Sequence, residues 1–303
     1  PVKVRWNRFC CLTYSPEMDF YAAFYYIPPM QCWMLLGGKN PLEANSWKRL
    51  CDLPKQESPF LFFDQRPRWF GRYLCFGDRQ SATILTMNPQ GVERVQRFPL
   101  PKAQHPCRFA CDGLGRILLA HDEETYCFEN GSLSPLGFHI LSGDGFNGSI
   151  PVPETGRLVM CGFSDREVVA RLLELDIDTR RCRATRMQNV DPWSVLLPFG
   201  EDWVLVKGAC DSMRLDFARL WNRTTGEVLR IRPGMFGSEK LEHIGRLSDS
   251  RVVLTTLRSH VGQVVHFPAD FWNFLRSASR PQTLEPMQPC EALYPDIPLT
   301  QPE

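Results

Sequence analysis

A chain of 303 residues with 43% apolar content can bury a substantial core without help from disulfides or metals. Its 35 Lys plus Arg stand against 34 Asp plus Glu, and the net charge of +1 excludes a global field that would draw in nucleic acid or an anionic membrane. The twelve cysteines include no CxxC pair and no regular framework. Cys75 in RYLCFG, Cys127 in TYCF and Cys161 in RLVMCG sit inside apolar runs, where a thiol behaves as a small buried hydrophobe. This usage, with no basic and apolar leader at Pro1, reads as a reducing compartment and a cytoplasmic location.

The opening unit, from about Val2 to Glu57, is rich in aromatic residues. Between Asp19 and Lys39 lie nineteen uncharged residues, which Pro28 and Pro29 split into two runs too short for a membrane helix. Two buried strands joined by a PPMQ turn are expected there, and no membrane insertion.

From about Phe60 the chain settles into repeated units. A short apolar strand recurs at Arg72 to Phe76, Arg116 to Ala120, Arg157 to Cys161, Trp203 to Lys207 and Arg251 to Thr255, with starts 44, 41, 46 and 48 residues apart. Each has an expected partner before it: Phe60 to Asp64, Cys107 to Cys111, Gly148 to Val152, Ser194 to Phe199 and Leu241 to Leu247. Each is followed by a hairpin. The first turns at NPQG after Ala82 to Met87, the second at Asn130-Gly131 and the fourth at NRTTG, turn residues that supply the backbone angles hairpins need. The third, Val169 to Met187, alternates like a pair of half-buried strands, with Val169, Leu173, Leu175 and Ile177 on one face and Arg171, Glu174, Asp176 and Asp178 towards water. The last, around Gly262, is weaker. Only Ala269 to Ser277 has apolar spacing that fits a helix, and the six-proline segment from Ser277 to Glu303 reads as an extended tail, either a strap along the body or a recognition segment.

Four strands per unit at a period in the forties is the spacing of a propeller blade, and the chain resembles the β-propeller superfamily from about Phe60 to Phe267. It lacks the GH and WD signatures of WD40 blades and the paired glycines of kelch. The resemblance implies an all-β propeller of four-stranded antiparallel blades spanning residues 1–276, six in number with five or seven left open, and a tail over 277–303. The opening 57 residues could also stand apart as a second domain.

Two positions recur that packing does not demand. Arginine opens the second strand of four units (Arg72, Arg116, Arg157, Arg251), and aspartate follows the same strand at Asp78, Asp122, Asp165 and Asp211. Opposite ends of a strand lie on opposite faces of the disc, so one face would be locally basic and the other acidic, able to orient a partner. Turn chemistry alone also accounts for aspartate there. His105, Cys107, Cys111 and Asp112 are metal-ligand types at spacings that match no zinc site, and buried thiols account for them. GDGFNGS, Gly143 to Ser149, lacks the alternating ligands of a calcium loop. Arg180, Arg181, Arg183 and Arg186 form the richest basic stretch, but Glu174, Asp176 and Asp178 are their expected cross-strand neighbours, so no nucleic acid is expected as a partner.

These features lead to a non-enzymatic propeller that serves as a protein-interaction platform within a larger complex, with no cofactor and other protein subunits as partners. The alternative is a metal-dependent hydrolase or lactonase of the propeller kind, its cation held at the channel mouth by Asp112, Asp122, Asp165 and Asn147. A Trp-lined pocket for a sugar or small ligand is a third class.

Overall fold

The computed structural model describes residues 9–15, 17–27, 32–40, 43–52, 67–88, 90–103, 106–121, 124–138, 148–163, 170–187, 190, 194–198, 202–207, 219–230, 241–248, 251–256, 262–266, 273, 276–277 and 282–290. The strands form antiparallel meanders, and the architecture is an all-β propeller with four-stranded blades. Among the described residues five blades carry the complete four-strand meander and a further sheet has three strands, within the five-to-seven range that the repeats leave open. No helix among these residues is long and apolar enough to cross a membrane. Of the expected helix at Ala269 to Ser277, Asn273, Arg276 and Ser277 are helical and the rest lies outside the described residues.

Two compact units divide the chain: residues 1–107 with 239–268, and residues 108–238 with 269–303. In the first unit, β1 (Phe9–Ser15), β2 (Phe20–Ile27), β3 (Cys32–Gly38) and β4 (Lys48–Asp52) form one sheet. The long uncharged stretch thus supplies β2 and β3, paired in register from Tyr21↔Gly38 to Ile27↔Cys32, because its period and its prolines suit strands. A second sheet holds β5 (Arg68–Phe70), β6 (Tyr73–Gly77), β7 (Ser81–Asn88) and β8 (Gly91–Pro99). The strand that pairs with β6 is therefore Arg68–Phe70, joined through Gly71 at a φ of 55°; the expected Phe60 to Asp64 lies outside the described residues. The apolar faces of the two sheets close on each other through Ala22, Phe24 and Leu35 on one side and Leu74, Phe76 and Leu85 on the other, with Phe24 and Phe76 edge to face at 5.6 Å. The three-stranded sheet is β21 (Leu241–Ser248), β22 (Arg251–Thr256) and β23 (Gly262–His266).

The second unit begins with β9 (Arg108–Cys111), β10 (Ile117–His121), β11 (Glu124–Glu129) and β12 (Ser132–Pro135). Asn130 and Gly131, at φ 52° and 81°, make the expected two-residue turn between β11 and β12. The next sheet, β13 (Ile150–Val152), β14 (Arg157–Phe163), β15 (Ala170–Asp176) and β16 (Arg181–Thr185), gains a fifth strand, β25 (Gln288–Cys290). The third, β17 (Val195–Pro198), β18 (Trp203–Lys207), β19 (Arg219–Asn222) and β20 (Glu227–Arg230), likewise gains β24 (Gln282–Thr283). Residues 282–290 therefore lie along the fourth strands of two sheets.

The half-buried reading of the Val169 to Met187 hairpin holds at its turn end, where Asp178 is exposed and Glu174 and Asp176 are partly so, and needs correcting around Leu172. Leu173 and Ile177 pack into one apolar cluster with Ala110, Leu118, Leu158 and Met160, while Leu172 packs into another with Val159, Cys161, Leu196 and Val204. Consecutive side chains of a strand point to opposite faces, so this sheet is covered on both sides. Alternation marks a strand with one wet face; stacking removes that face.

Leu118 is fully buried in the central strand of its sheet. Leu118→Ala is expected to cost about 2–5 kcal/mol, read as a lower denaturant midpoint at unchanged slope. A loss under about 0.5 kcal/mol, the level of a surface change, would remove it from the core.

Candidate interaction face

In the second unit the turns that open the second strands stand at one end of the sheets and are bonded to one another. After β9 the chain turns through Asp112 to Arg116. The Asp112 carboxylate, with no exposed side-chain surface, accepts from Leu114 N at 3.0 Å, Arg116 N at 2.9 Å and Arg116 Nε at 2.6 Å. A short acidic side chain that caps its own turn is ordinary. Here the capped turn also carries the arginine forward, and Arg116 Nη1 donates to Asp178 Oδ1 at 2.7 Å, on the β15–β16 turn of the neighbouring sheet. Burial alone would lower the Arg116 guanidinium, but the bonds to Asp178 and Asp112 outweigh it and raise it above its ordinary value.

Backbone bonds run beside this latch. Gly113 N donates to Arg157 O at 3.2 Å, Glu154 N to Gly113 O at 3.1 Å and Ile177 N to Gly156 O at 2.9 Å. The approach requires glycine at 113, where a Cβ would overlap the backbone oxygen Val152 O; a Cβ on residue 156 would overlap Asp178 Oδ2 and stand 2.8 Å from Arg116 Nη2, so the latch side chains would have to shift. The next turn joins in through Arg223, whose Nη1 donates to Pro151 O at 3.0 Å. Above this mesh stand Leu114, 56% exposed, Asp178, 52% exposed on its side chain, Glu154, and Arg180, whose guanidinium lies 5.2 Å from the Phe138 ring centre.

The arginines singled out by the repeats have separate surroundings. Arg116 belongs to the latch. Arg157 bonds Glu174 Oε1 at 3.0 Å, and the same oxygen lies 3.6 Å from Arg183, which is directly opposite Glu174 in register. Asp176 likewise faces Arg181, so the basic stretch has the cross-strand acids expected of it. In the first unit Arg72 is exposed, 5.4 Å over the Tyr73 ring, and Arg251 opens β22 opposite His266. Asp78 accepts from Gln80 N and Ser81 N, both at 2.7 Å, and from Ser81 Oγ at 3.0 Å, so its carboxylate is engaged in its own turn. Asp122, Asp165 and Asp211, and Asn147, lie outside the described residues. Sequence reasoning named Asp112 only as a metal-ligand type, placed Asp178 only as a water-facing neighbour of the basic stretch, and missed Gly113 and Gly156. The dipeptide Gly-Arg at 71–72, 115–116 and 156–157 was a signal for Gly156, and no sequence spacing marked Gly113.

Among the described residues no group of three or more His, Cys, Asp or Glu side chains could hold a metal ion. Cys107 and Cys111, from the cluster of ligand types, are free thiols. Burial first, and Asp78 second, raises Cys107. Burial, with Asp112 and Cys127 nearby, pushes Cys111 up to about 12.

No protein-family model matches the chain, and no curated protein matches its sequence. Solved structures do share the fold. The chain is 11% identical to the β-propeller domain of the trilobed protease from Pyrococcus furiosus at a TM-score of 0.51, covering 91% of this chain and 81% of that one. Hydrazine synthase from Kuenenia stuttgartiensis matches with the same identity, TM-score and coverage.

Arg116→Met leaves the buried Asp112 carboxylate without its guanidinium and is expected to cost about 1.5–3 kcal/mol. Asp178→Asn, at the exposed arm of the latch, should cost under about 1 kcal/mol. Equal losses in urea unfolding would show that the two arms are not unequal in this way. The Cys111 thiol gives a pH dependence of definite sign. Its unfolded value is 9.0 and its folded value is about 12, so above pH 9 the unfolded chain sheds a proton that the folded chain keeps. That contribution is complete below pH 9 and is lost as pH rises towards 12. Urea midpoints measured either side of pH 9 should fall less steeply in Cys111→Ala than in the parent; identical slopes would refute it.

Proposed function

We propose that this β-propeller chain is a protein-interaction platform within a larger assembly, and that it meets its partner through the bonded turns of the second unit. The observation that supports this is the Asp112–Arg116–Asp178 latch with the two glycines beneath it, which holds Leu114, Glu154, Asp178 and Arg180 in preset positions. A surface fixed before contact loses little further freedom on binding, and an exposed leucine ringed by charges of both signs gives an apolar anchor with an orienting rim. Arg116 and Arg157 act here as positioning residues, because their charges are spent on Asp112, Asp178 and Glu174.

In the first unit the corresponding strand ends carry Arg72 and Arg251. The aspartate end is not proposed as the contact, since Asp78 is occupied by Gln80 and Ser81. The hydrolase reading gains nothing from Asp112, whose two carboxylate oxygens already accept three hydrogen bonds.

The test is affinity purification of the tagged protein from its native cell, with mass spectrometry of whatever accompanies it. A stoichiometric protein companion is expected with the parent chain. Leu114→Glu and Arg180→Glu should each lose it, with stability unchanged to within about 0.5 kcal/mol. A companion retained by both variants, or a parent protein that comes down alone, would overturn the proposal.

A further inference from the structure

The two strands supplied by residues 282–290 place two cysteines opposite each other in register. In the β16–β25 ladder the register is Cys182↔Cys290, Arg183↔Pro289 and Ala184↔Gln288. Proline has no N–H to give a ladder, so Pro289 must occupy a non-hydrogen-bonded position. Cys182 and Cys290 are then the adjacent hydrogen-bonded pair, whose Cα atoms stand about 5.5 Å apart in antiparallel sheets. That separation lies within the window of about 4.4–6.8 Å that a disulfide spans, and directly opposed residues share a face of the sheet. Cys182 is buried, and its neighbour Ala184 packs into the same apolar cluster.

The segment that carries Cys290 is held by its two short ladders, by Leu284 and Met287 packed against an apolar cluster, and by hydrogen bonds along its length. Arg183 Nη2 donates to Met287 O at 3.1 Å and Thr185 Oγ1 to Glu285 O at 2.8 Å, while Leu284 N bonds Gly226 O at 2.9 Å. A strand of three residues at the rim of a sheet opens more readily than the inner strands of that sheet.

We propose that Cys182 and Cys290 form an oxidation-dependent disulfide that locks residues 282–290 across the fourth strands of two neighbouring sheets. The oxidant is a low-molecular-weight disulfide. The thiolate of one cysteine attacks it, giving a mixed disulfide and releasing one small thiol; the second cysteine then attacks the protein-bound sulfur and releases the other. One S–S bond forms in the protein and one is broken in the oxidant, which accepts two electrons and two protons. The lock is independent of the platform reading.

The experiment equilibrates the full chain in buffers of graded reduced and oxidised glutathione, blocks remaining thiols by alkylation, and digests it without reductant. A peptide pair linked through Cys182 and Cys290 is expected in the oxidised buffers, absent in Cys290→Ser and in Cys182→Ser. Proteolytic cleavage within 282–290 should slow at least tenfold on oxidation of the parent and remain unchanged in Cys290→Ser. The melting temperature of reduced Cys290→Ser is measured beside that of the reduced parent, so that an effect on folding is separated from the effect of the lock. Linkage of either cysteine to another partner, linkage only in denaturant, or no linkage while other thiols oxidise would overturn the proposal.

Discussion

A sheet that is apolar on both faces has to be covered twice, and that requirement governs the rest of this structure. In β14 and β15, Leu158, Met160 and Leu173 face one cluster while Val159, Cys161 and Leu172 face the other. Neither cluster exists without a sheet on each side, so a single meander of this chain would expose what it must bury. Stacking answers the requirement and explains why an almost uniformly apolar strand recurs at the heart of every unit.

Stacking of apolar faces is non-directional and fixes spacing better than orientation. The polar mesh at the strand ends supplies direction. Asp112 orders its own turn and passes the order to the next sheet through Arg116 and Asp178, while Gly113 lets the backbones close to hydrogen-bonding distance and Gly156 leaves room for the latch side chains. The buried carboxylate is tolerable only because three donors meet it. Geometry and chemistry thus converge on one end of the unit, which is where a fixed set of exposed groups is available.

Much of the fold was legible because blade strands are local objects: the apolar cores at 73–77, 117–121, 157–163, 203–207 and 251–256 announce themselves by composition, and Asn130-Gly131 and Asn222 to Gly226 by turn chemistry. Two kinds of information were not. Which face of β15 is wet depends on a neighbour roughly forty residues away, at the period typical of propeller blades, so its alternation misled. The site depended on contacts between turns, such as Arg116 with Asp178 or Gly113 with Val152, where no sequence spacing records the proximity. The repeating arginine was visible; the partners of Arg116, Asp112 and Asp178, carried the meaning.

The strands at 282–290 belong to sheets whose other members lie between 150 and 230. During synthesis β16 and β20 are complete long before their last partners leave the ribosome, and for that interval both present open hydrogen-bonding edges. Closing so long a loop is slow compared with forming the hairpins, so the final pairing is a late, chain-length-dependent event. Residues 282–290 therefore act as a timer on the exposure of β16 and β20 to edge-to-edge association: until they pair both edges are adhesive, and afterwards both are covered.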